Sequence, residues 1–517
     1  MNDRLRAGTN SLKVDRMSWR ELVRTKDVDD VIHQNDVEPG SEHHVRLSKR
    51  LGVTDLIGFG IGIVIGTGIF TLTGTAAKNN AGPAVMLSFL IAGIVAMLAA
   101  VCYAELAAAV PTAGSSYTYA YTTIGEIFAW IIAWDLILEF ALGAAVVARG
   151  WSGYLQGVFD LPKEFFGEEG SVVNVGAVFI VVVLGFVAAI GIRESKLVTN
   201  ALVVIKVSVC LFIIGVGLFF VDLANQKPYI PESRPVTGKD EISGLQQPLW
   251  QWITGADQTA YGVTGVLVAA AIVFFAYSGF EAVANLGEES KEPAKDMPRG
   301  LIWTLVICTI LYVAVTFVLT GMVKYTKVSE GEPLADAFDQ RGLGWAGILI
   351  GIAAVAGLTS VILVDIVAMG RIGFALCRDG LLPASVGKIH EKYQTPVRIT
   401  VATTVVVAIL GAFVPLKVLA EMVSIGTLFA FLVVSIAVIV LRRTKPRMKR
   451  PFKAPQVPIL PITSAVLCVG LMSNLAVETW LRFLVWLAIG IAIYWFYGRH
   501  HARLDREPET AGPSLGS

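Results

Sequence analysis

Long apolar runs recur along nearly the whole of this 517-residue chain. Inside hydrocarbon no water answers backbone polar groups, so only helices and closed barrels span a bilayer. A spanning helix needs ~20 apolar residues, twice the length of a barrel strand. Twelve candidates meet this, at roughly 55–77, 83–110, 124–155, 172–191, 195–221, 262–286, 300–323, 345–377, 397–414, 417–441, 458–477 and 481–498. Charged residues make up 16% of the chain and apolar ones 55%, against ~25% charged in a soluble domain. The expected class is therefore an all-α polytopic membrane protein with 12 transmembrane helices. Pro298, Pro383, Pro396 and Pro415 bracket the seventh to ninth segments as helix stops.

Net charge is +1, which gives no sign of a nucleic-acid partner, and the five cysteines are scattered through apolar segments. That spacing excludes a disulfide scaffold and any C-x-x-C metal or redox site. No secretory signal is expected, since the first 50 residues hold no apolar core. The basic block Arg442-Arg443-Thr444-Lys445-Pro446-Arg447-Met448-Lys449-Arg450 belongs in the cytoplasm, which puts both termini there and the chain in the plasma or inner membrane. The expected divisions are a cytoplasmic segment 1–50, a first half 51–222, an external loop 223–261, a second half 262–441, a basic loop 442–456, two further helices in 457–498 and a tail 499–517. Residues 18–24 read as a short interfacial helix or a solvated tail. All six histidines fall outside the apolar segments, so no metal site and no cofactor are expected.

The first apolar segment holds five glycines between Gly58 and Gly68, and each interior glycine costs ~1 kcal/mol against alanine. Gly58, Gly62 and Gly66 are spaced as a face for close helix packing. Alternatively the helix unwinds at Gly66-Thr67-Gly68 and frees N–H groups that suit a carboxylate. The sixth segment, Phe274-Phe275-Ala276-Tyr277-Ser278-Gly279-Phe280-Glu281-Ala282, also carries a glycine and a carboxylate in mid-membrane. An interrupted helix thus comes first in each of two similar halves, which points to inverted repeats with a substrate site between them.

Ionisable groups within a membrane cost roughly 2.5–3.5 kcal/mol each on insertion scales and are functional candidates by default. Lys206 lies about eleven residues into the fifth segment, ~16 Å deep at 1.5 Å per residue. It reads as a proton carrier or as a fixed charge on carbonyls at a helix break. Glu281 is its natural acidic counterpart, tying the broken helix or relaying protons. Asp135, Glu139 and Asp365 can neutralise a cationic substrate or close an internal network. Glu105, Arg149, Arg371 and Asp379 lie nearer helix ends, as structural groups do. Phe275 and Tyr277, beside the second break, are gate candidates.

These stretches, with Ala81-Gly82-Pro83-Ala84, Cys102-Tyr103-Ala104-Glu105, Pro111-Thr112-Ala113-Gly114-Ser115, Trp134-Asp135-Leu136-Ile137-Leu138-Glu139, Gly287-Glu288-Glu289 and Arg378-Asp379-Gly380-Leu381-Leu382-Pro383, make the chain resemble the amino acid–polyamine–organocation superfamily of permeases over about 45–500. It is most similar to the bacterial branch of the cationic amino acid transporters. The resemblance implies a leucine-transporter-like fold, a 5+5 inverted repeat plus two C-terminal helices, working by alternating access. It implies that the amides of Thr67 and Gly68 hold a substrate carboxylate, while carbonyls near Val64, Phe275 and Ser278 hold the α-ammonium. Glu139 and Asp365 join this substrate-binding set, and Gly66, Gly279 and Tyr277 form the unwound and gating positions. Thr359 and Ser360 match the hydroxyl pair that binds sodium in relatives of this fold. Lys206 matches the lysine that fills that space in the proton-coupled branch.

Proton symport of an amino acid is the expected function, with the proton and the lipid bilayer as the other partners and oligomeric state unread. Small neutral or varied amino acids are the expected cargo; Asp365 favours a cationic one if it faces the pocket. The alternatives are an exchanger of the same fold and a non-transporting sensor. An enzyme is not expected, because the apolar segments hold no phosphate loop or nucleophile–base pair.

Overall fold

Two of the apolar runs do not form continuous helices, and the rest of the molecule packs around those two interruptions. The computed structural model describes residues 51–110, 115–167, 172–191, 196–236, 244–393 and 395–502. Residues 18–24 and 111–114 lie outside them. The helices that matter here are α1 (Val53–Val64), α2 (Val85–Ala109), α3 (Ser115–Thr123), α4 (Glu126–Phe159), α5 (Val175–Ile190), α6 (Lys196–Gly217), α7 (Gly262–Val273), α8 (Pro293–Met322), α9 (Pro333–Asp339), α10 (Gly344–Arg378), α11 (Val397–Phe413), α12 (Leu416–Thr444), α13 (Ile459–Met472) and α14 (Val477–Ile493). Among the described residues, eight helical stretches are long and apolar enough to cross a membrane, and α1, α5, α11 and α13 are shorter apolar helices beside them.

The outer surface is apolar: Phe179, Val182 and Phe186 of α5, Val401, Val405 and Ile409 of α11, and Leu484 and Val485 of α14 are all exposed. A water-soluble protein rarely shows so large an apolar surface; a multi-pass membrane protein turns it to lipid. Inside, α4 packs along α10 and α12, while α8 packs along α2 and α1.

The first interruption follows Val64. Ile65 is extended (φ −74°, ψ 96°), and helical structure resumes at Thr67 and runs on through Gly68–Leu72 and Thr73–Ala76. The second follows a 3-10 segment, Phe274–Tyr277. Ser278 is extended, Gly279 has φ +94°, and 3-10 turns carry the chain through Phe280–Glu289. The left-handed region is open to glycine at little cost, which is why the break falls where it does.

The glycine face proposed for α1 takes a different form. A Cβ at Gly60 would lie 2.4 Å from Thr304 of α8, and one at Gly62 would lie 2.7 Å from Val203 of α6. At Gly58 nothing lies within 4 Å, and at Gly66 the nearest atoms are at an ordinary 3.8 Å. Close packing therefore belongs to Gly60 and Gly62, which serve two different helices. Pro298 also departs from expectation, since it lies inside α8, which starts at Pro293. As the sixth residue of the helix it leaves the Ala294 carbonyl without its i+4 donor, a single lost bond near the helix start rather than a stop.

The basic block is tied down at one end of the bundle. Glu105, fully buried at the end of α2, accepts two hydrogen bonds from Arg442 (2.9 and 2.7 Å) and one from the Ala454 amide (2.8 Å). Arg450 lies 3.5 Å from the same carboxylate. At the same end Tyr117 of α3 donates to Asp379, just past α10, at 2.6 Å. Arg149 donates to the Gly411 carbonyl near the end of α11 (3.1 Å), a favourable place for a cation. The loop after α6 holds a two-residue strand pair, Arg234–Pro235 with Thr259–Ala260.

Candidate substrate site between the two broken helices

The interruptions face each other. A Cβ at Gly68 would lie 2.3 Å from the Cβ and 2.4 Å from the Cα of Ala276, and one at Gly279 would lie 2.5 Å from Ile63. Each glycine thus admits the opposite broken segment. Between them lies a narrow cavity of about 30 Å³, lined by Val64, Gly66, Thr67, Gly68, Phe275, Ser278 and Gly279. Its far walls are Glu139, Phe140, Gly143 and Val147 of α4 with Val361 and Asp365 of α10. That is room for roughly one or two waters, so an amino acid requires these walls to part.

Breaking a helix frees backbone groups at both new ends. On the donor side, the start at Thr67–Gly68 has no side-chain cap. The Thr67 and Thr71 hydroxyls are buried with no hydrogen-bond partner among the described residues. Gly150 of α4 packs against both threonines, where a Cβ would stand 2.7 Å from Thr67. Uncapped N–H groups and orphaned hydroxyls at a helix start form an anion-binding arrangement.

On the acceptor side most carbonyls are already engaged. The Phe275 carbonyl accepts from the Ser278 amide (3.1 Å) and the Ser278 hydroxyl (3.0 Å), which uses both lone pairs. The Val64 carbonyl accepts from the Tyr312 hydroxyl of α8 at 2.6 Å, and the same hydroxyl lies 3.1 Å from the Ala276 carbonyl. Tyr312 therefore pins both broken helices with one side chain. Sequence reasoning missed it, because a single tyrosine in an apolar helix reads as packing. Val64 itself lines the cavity, and its carbonyl oxygen has a second lone pair besides the one Tyr312 uses.

Lys206 is fully buried and lies outside the cavity lining. Its ammonium donates to the Gly62 carbonyl at 2.5 Å, one of those freed where α1 ends. The stem crosses α10 at Gly357, where a Cβ would meet it at 2.9 Å. The expected hydroxyl pair does not join it through a hydrogen bond: Thr359 donates to the Val355 carbonyl (2.8 Å) and accepts from Trp151 (3.0 Å), while Ser360 donates to the Gly357 carbonyl (2.8 Å).

The acids divide into two groups. Glu139 and Asp365 line the cavity. Glu139 accepts from Thr427 of α12 at 2.8 Å, and the Asp365 carboxylate lies against Gly143. Glu281 stands behind the second break, where both its oxygens accept from the Gly279 amide (3.0 and 3.1 Å) and its carboxyl interacts with that of Glu139. Tyr277 is buried away from the cavity, its hydroxyl donating to the Phe89 carbonyl at 2.8 Å. Phe275 and Phe140 are the aromatic residues at the cavity. Among the described residues no cluster of His, Cys, Asp and Glu could hold a metal ion.

The sequence is similar to known proteins across nearly the whole chain. Residues 51–497 match the family model described as amino acid permease. The methylthioribose transporter of Bacillus subtilis (strain 168) is 40% identical over 89% of this chain and 95% of its own length. The branched-chain amino acid permease BcaP of the same organism is 40% identical over 94% and 99%. The vacuolar cationic amino acid transporter 4 of Arabidopsis thaliana is 36% identical over 82% and 68%. An uncapped helix start facing an acid-lined cavity in a multi-pass bundle accords with these likenesses, which establish that the chain belongs to the amino acid permease family of the amino acid–polyamine–organocation superfamily.

Proposed function

We propose that this protein is a proton-coupled amino acid importer of the plasma membrane, working by alternating access around the cavity between the broken helices. The observation that carries the reading is the opposition of two chemistries across one cavity. On one side are the uncapped Thr67–Gly68 helix start and its orphaned hydroxyls, on the other Ser278, Glu139 and Asp365. A zwitterion fits that polarity, with its carboxylate at Thr67–Gly68 and its ammonium toward the Val64 carbonyl and Ser278. The segments 51–222 and 262–441, each opening on a broken helix, are the inverted repeats of a 5+5 fold, with two further helices in 457–498, and both termini face the cytoplasm.

Proton coupling is supported by Lys206. A lysine on the Gly62 carbonyl places one removable proton where the first helix must move, and a second cation there would meet its charge. Relatives bear names for cargoes as different as methylthioribose, branched-chain and cationic amino acids, so the residues of the cavity are the better guide to substrate. Asp365 lines the cavity, which favours a cationic side chain over the small neutral ones expected from sequence.

Uptake of radiolabelled arginine and alanine into sodium-free proteoliposomes tests this. An inward proton gradient is expected to drive concentrative uptake that collapses with a protonophore, with arginine ahead of alanine. Uptake only into preloaded vesicles would make the protein an exchanger. Binding without flux would make it a sensor.

A further inference from the structure

Asp135 is a buried acid for which the cavity has no use. It lies on α4 four residues before Glu139, fully buried and outside the cavity lining. Neither of its oxygens has a hydrogen-bond partner among the described residues. A carboxyl so placed costs several kcal/mol unless a proton or a water answers it, and an apolar residue would fill the position without that cost. The opposite wall fits closely against it: α12 presents Gly426, where a Cβ would come within 2.9 Å of the carboxylate, so only a glycine there admits the acid.

The titratable surroundings of Asp135 run in one direction. Glu139, on the same face one turn along, interacts with it and with Glu281. From α12, Thr427 donates to Glu139. Tyr103 of α2 faces Glu139 and Glu281, and Asp365 of α10 lies beyond them against Gly143. In the other direction α4 begins at Glu126, which accepts from Tyr121 (3.1 Å) and Tyr494 (2.8 Å). That is the end of the bundle where Lys445 reaches the Thr122 carbonyl. At 1.5 Å per residue Asp135 is ~14 Å from the start of α4 and Glu139 ~20 Å.

We propose that Asp135 is a proton-relay residue linking the substrate-site acids Glu139 and Glu281 to the basic end of the bundle, separate from Lys206. The inference rests on the proton-coupled reading above. In the step, the O–H bond of a protonated Glu139 breaks as an O–H bond forms on Asp135, directly or through one water. Asp135 then gives that proton to a water that reaches it from the basic end, ~14 Å along α4, and no electrons change hands.

The test compares wild type, Asp135→Asn and Asp135→Glu in proteoliposomes, using radiolabelled arginine or alanine in two assays. One is uptake driven by an inward proton gradient; the other is counterflow exchange with no gradient. Asparagine breaks no hydrogen bond at this position, so a retained melting temperature is expected to confirm folding. Gradient-driven uptake should fall by about 100-fold in Asp135→Asn, the scale of losing a proton-transfer group. Counterflow should stay within about threefold, well under 1.4 kcal/mol, and Asp135→Glu should restore the driven mode. Equal driven uptake in wild type and Asp135→Asn would overturn the relay. So would a parallel loss of both modes that glutamate does not rescue, which would make Asp135 structural. No driven uptake in wild type would instead remove the coupling reading, and the relay with it.

Discussion

Uptake is expected to vanish in Gly68→Ala and Gly279→Ala while Gly58→Ala transports normally. The three substitutions add the same methyl group to glycines of the two broken segments, and only their surroundings differ. At Gly68 the new carbon would meet the Cβ and Cα of Ala276 at 2.3 and 2.4 Å. Backbone cannot swing aside as a side-chain tip can, so the two broken segments must separate. At Gly279 the methyl would meet Ile63 at 2.5 Å, and φ is +94°. A left-handed conformation costs an L-residue roughly 1–2 kcal/mol, and overpacking adds about 1–3 kcal/mol. Nothing lies within 4 Å of Gly58, where alanine should stabilise the helix by up to ~1 kcal/mol. Substrate binding and uptake measured on purified, folded variants check this. Wild-type affinity in Gly68→Ala would show that the close approach of the two segments does not form the site.

Replacing Lys206 is expected to separate binding from coupling. The side chain lies outside the cavity lining, so Lys206→Ala should keep substrate affinity within about tenfold, or 1.4 kcal/mol. Uptake should nevertheless lose its dependence on external pH. Removing the ammonium leaves the Gly62 carbonyl without this donor, at a cost of about 1–3 kcal/mol, so a lower melting temperature is expected alongside. Lys206→Arg distinguishes charge from proton. Arginine stays protonated in proteins, so it should keep the carbonyl satisfied and still lose the pH dependence. Unchanged pH dependence in both variants would remove Lys206 from the coupling role.

Both helix breaks were legible in the sequence because they rest on local chemistry. Gly66-Thr67-Gly68 and Ser278-Gly279 interrupt apolar runs, and only glycine accepts φ +94° without strain. The burial of Lys206 was legible too, since it lies eleven residues into such a run. The unread features depend on what a helix faces. The period of α1 offered Gly58, Gly62 and Gly66 as one face, but contact falls at Gly60 and Gly62 because α8 and α6 approach from different sides. Glu281 was read as tying the broken helix or relaying protons, but no spacing names the Gly279 amide as the group it holds. Tyr312 left no mark at all, because its hydroxyl gains meaning only from the Val64 and Ala276 carbonyls, 248 and 36 residues away.

The most direct test of coupled transport follows the proton itself. Sodium-free proteoliposomes carrying a lumenal pH dye, with the membrane potential clamped at zero, are given external arginine or alanine at equal pH on both sides. The expected result is lumenal acidification that starts with substrate addition and tracks radiolabel uptake at a fixed ratio. It should be absent in Lys206→Ala. Full uptake with an unchanged lumenal pH would contradict proton symport and leave amino acid movement without proton coupling.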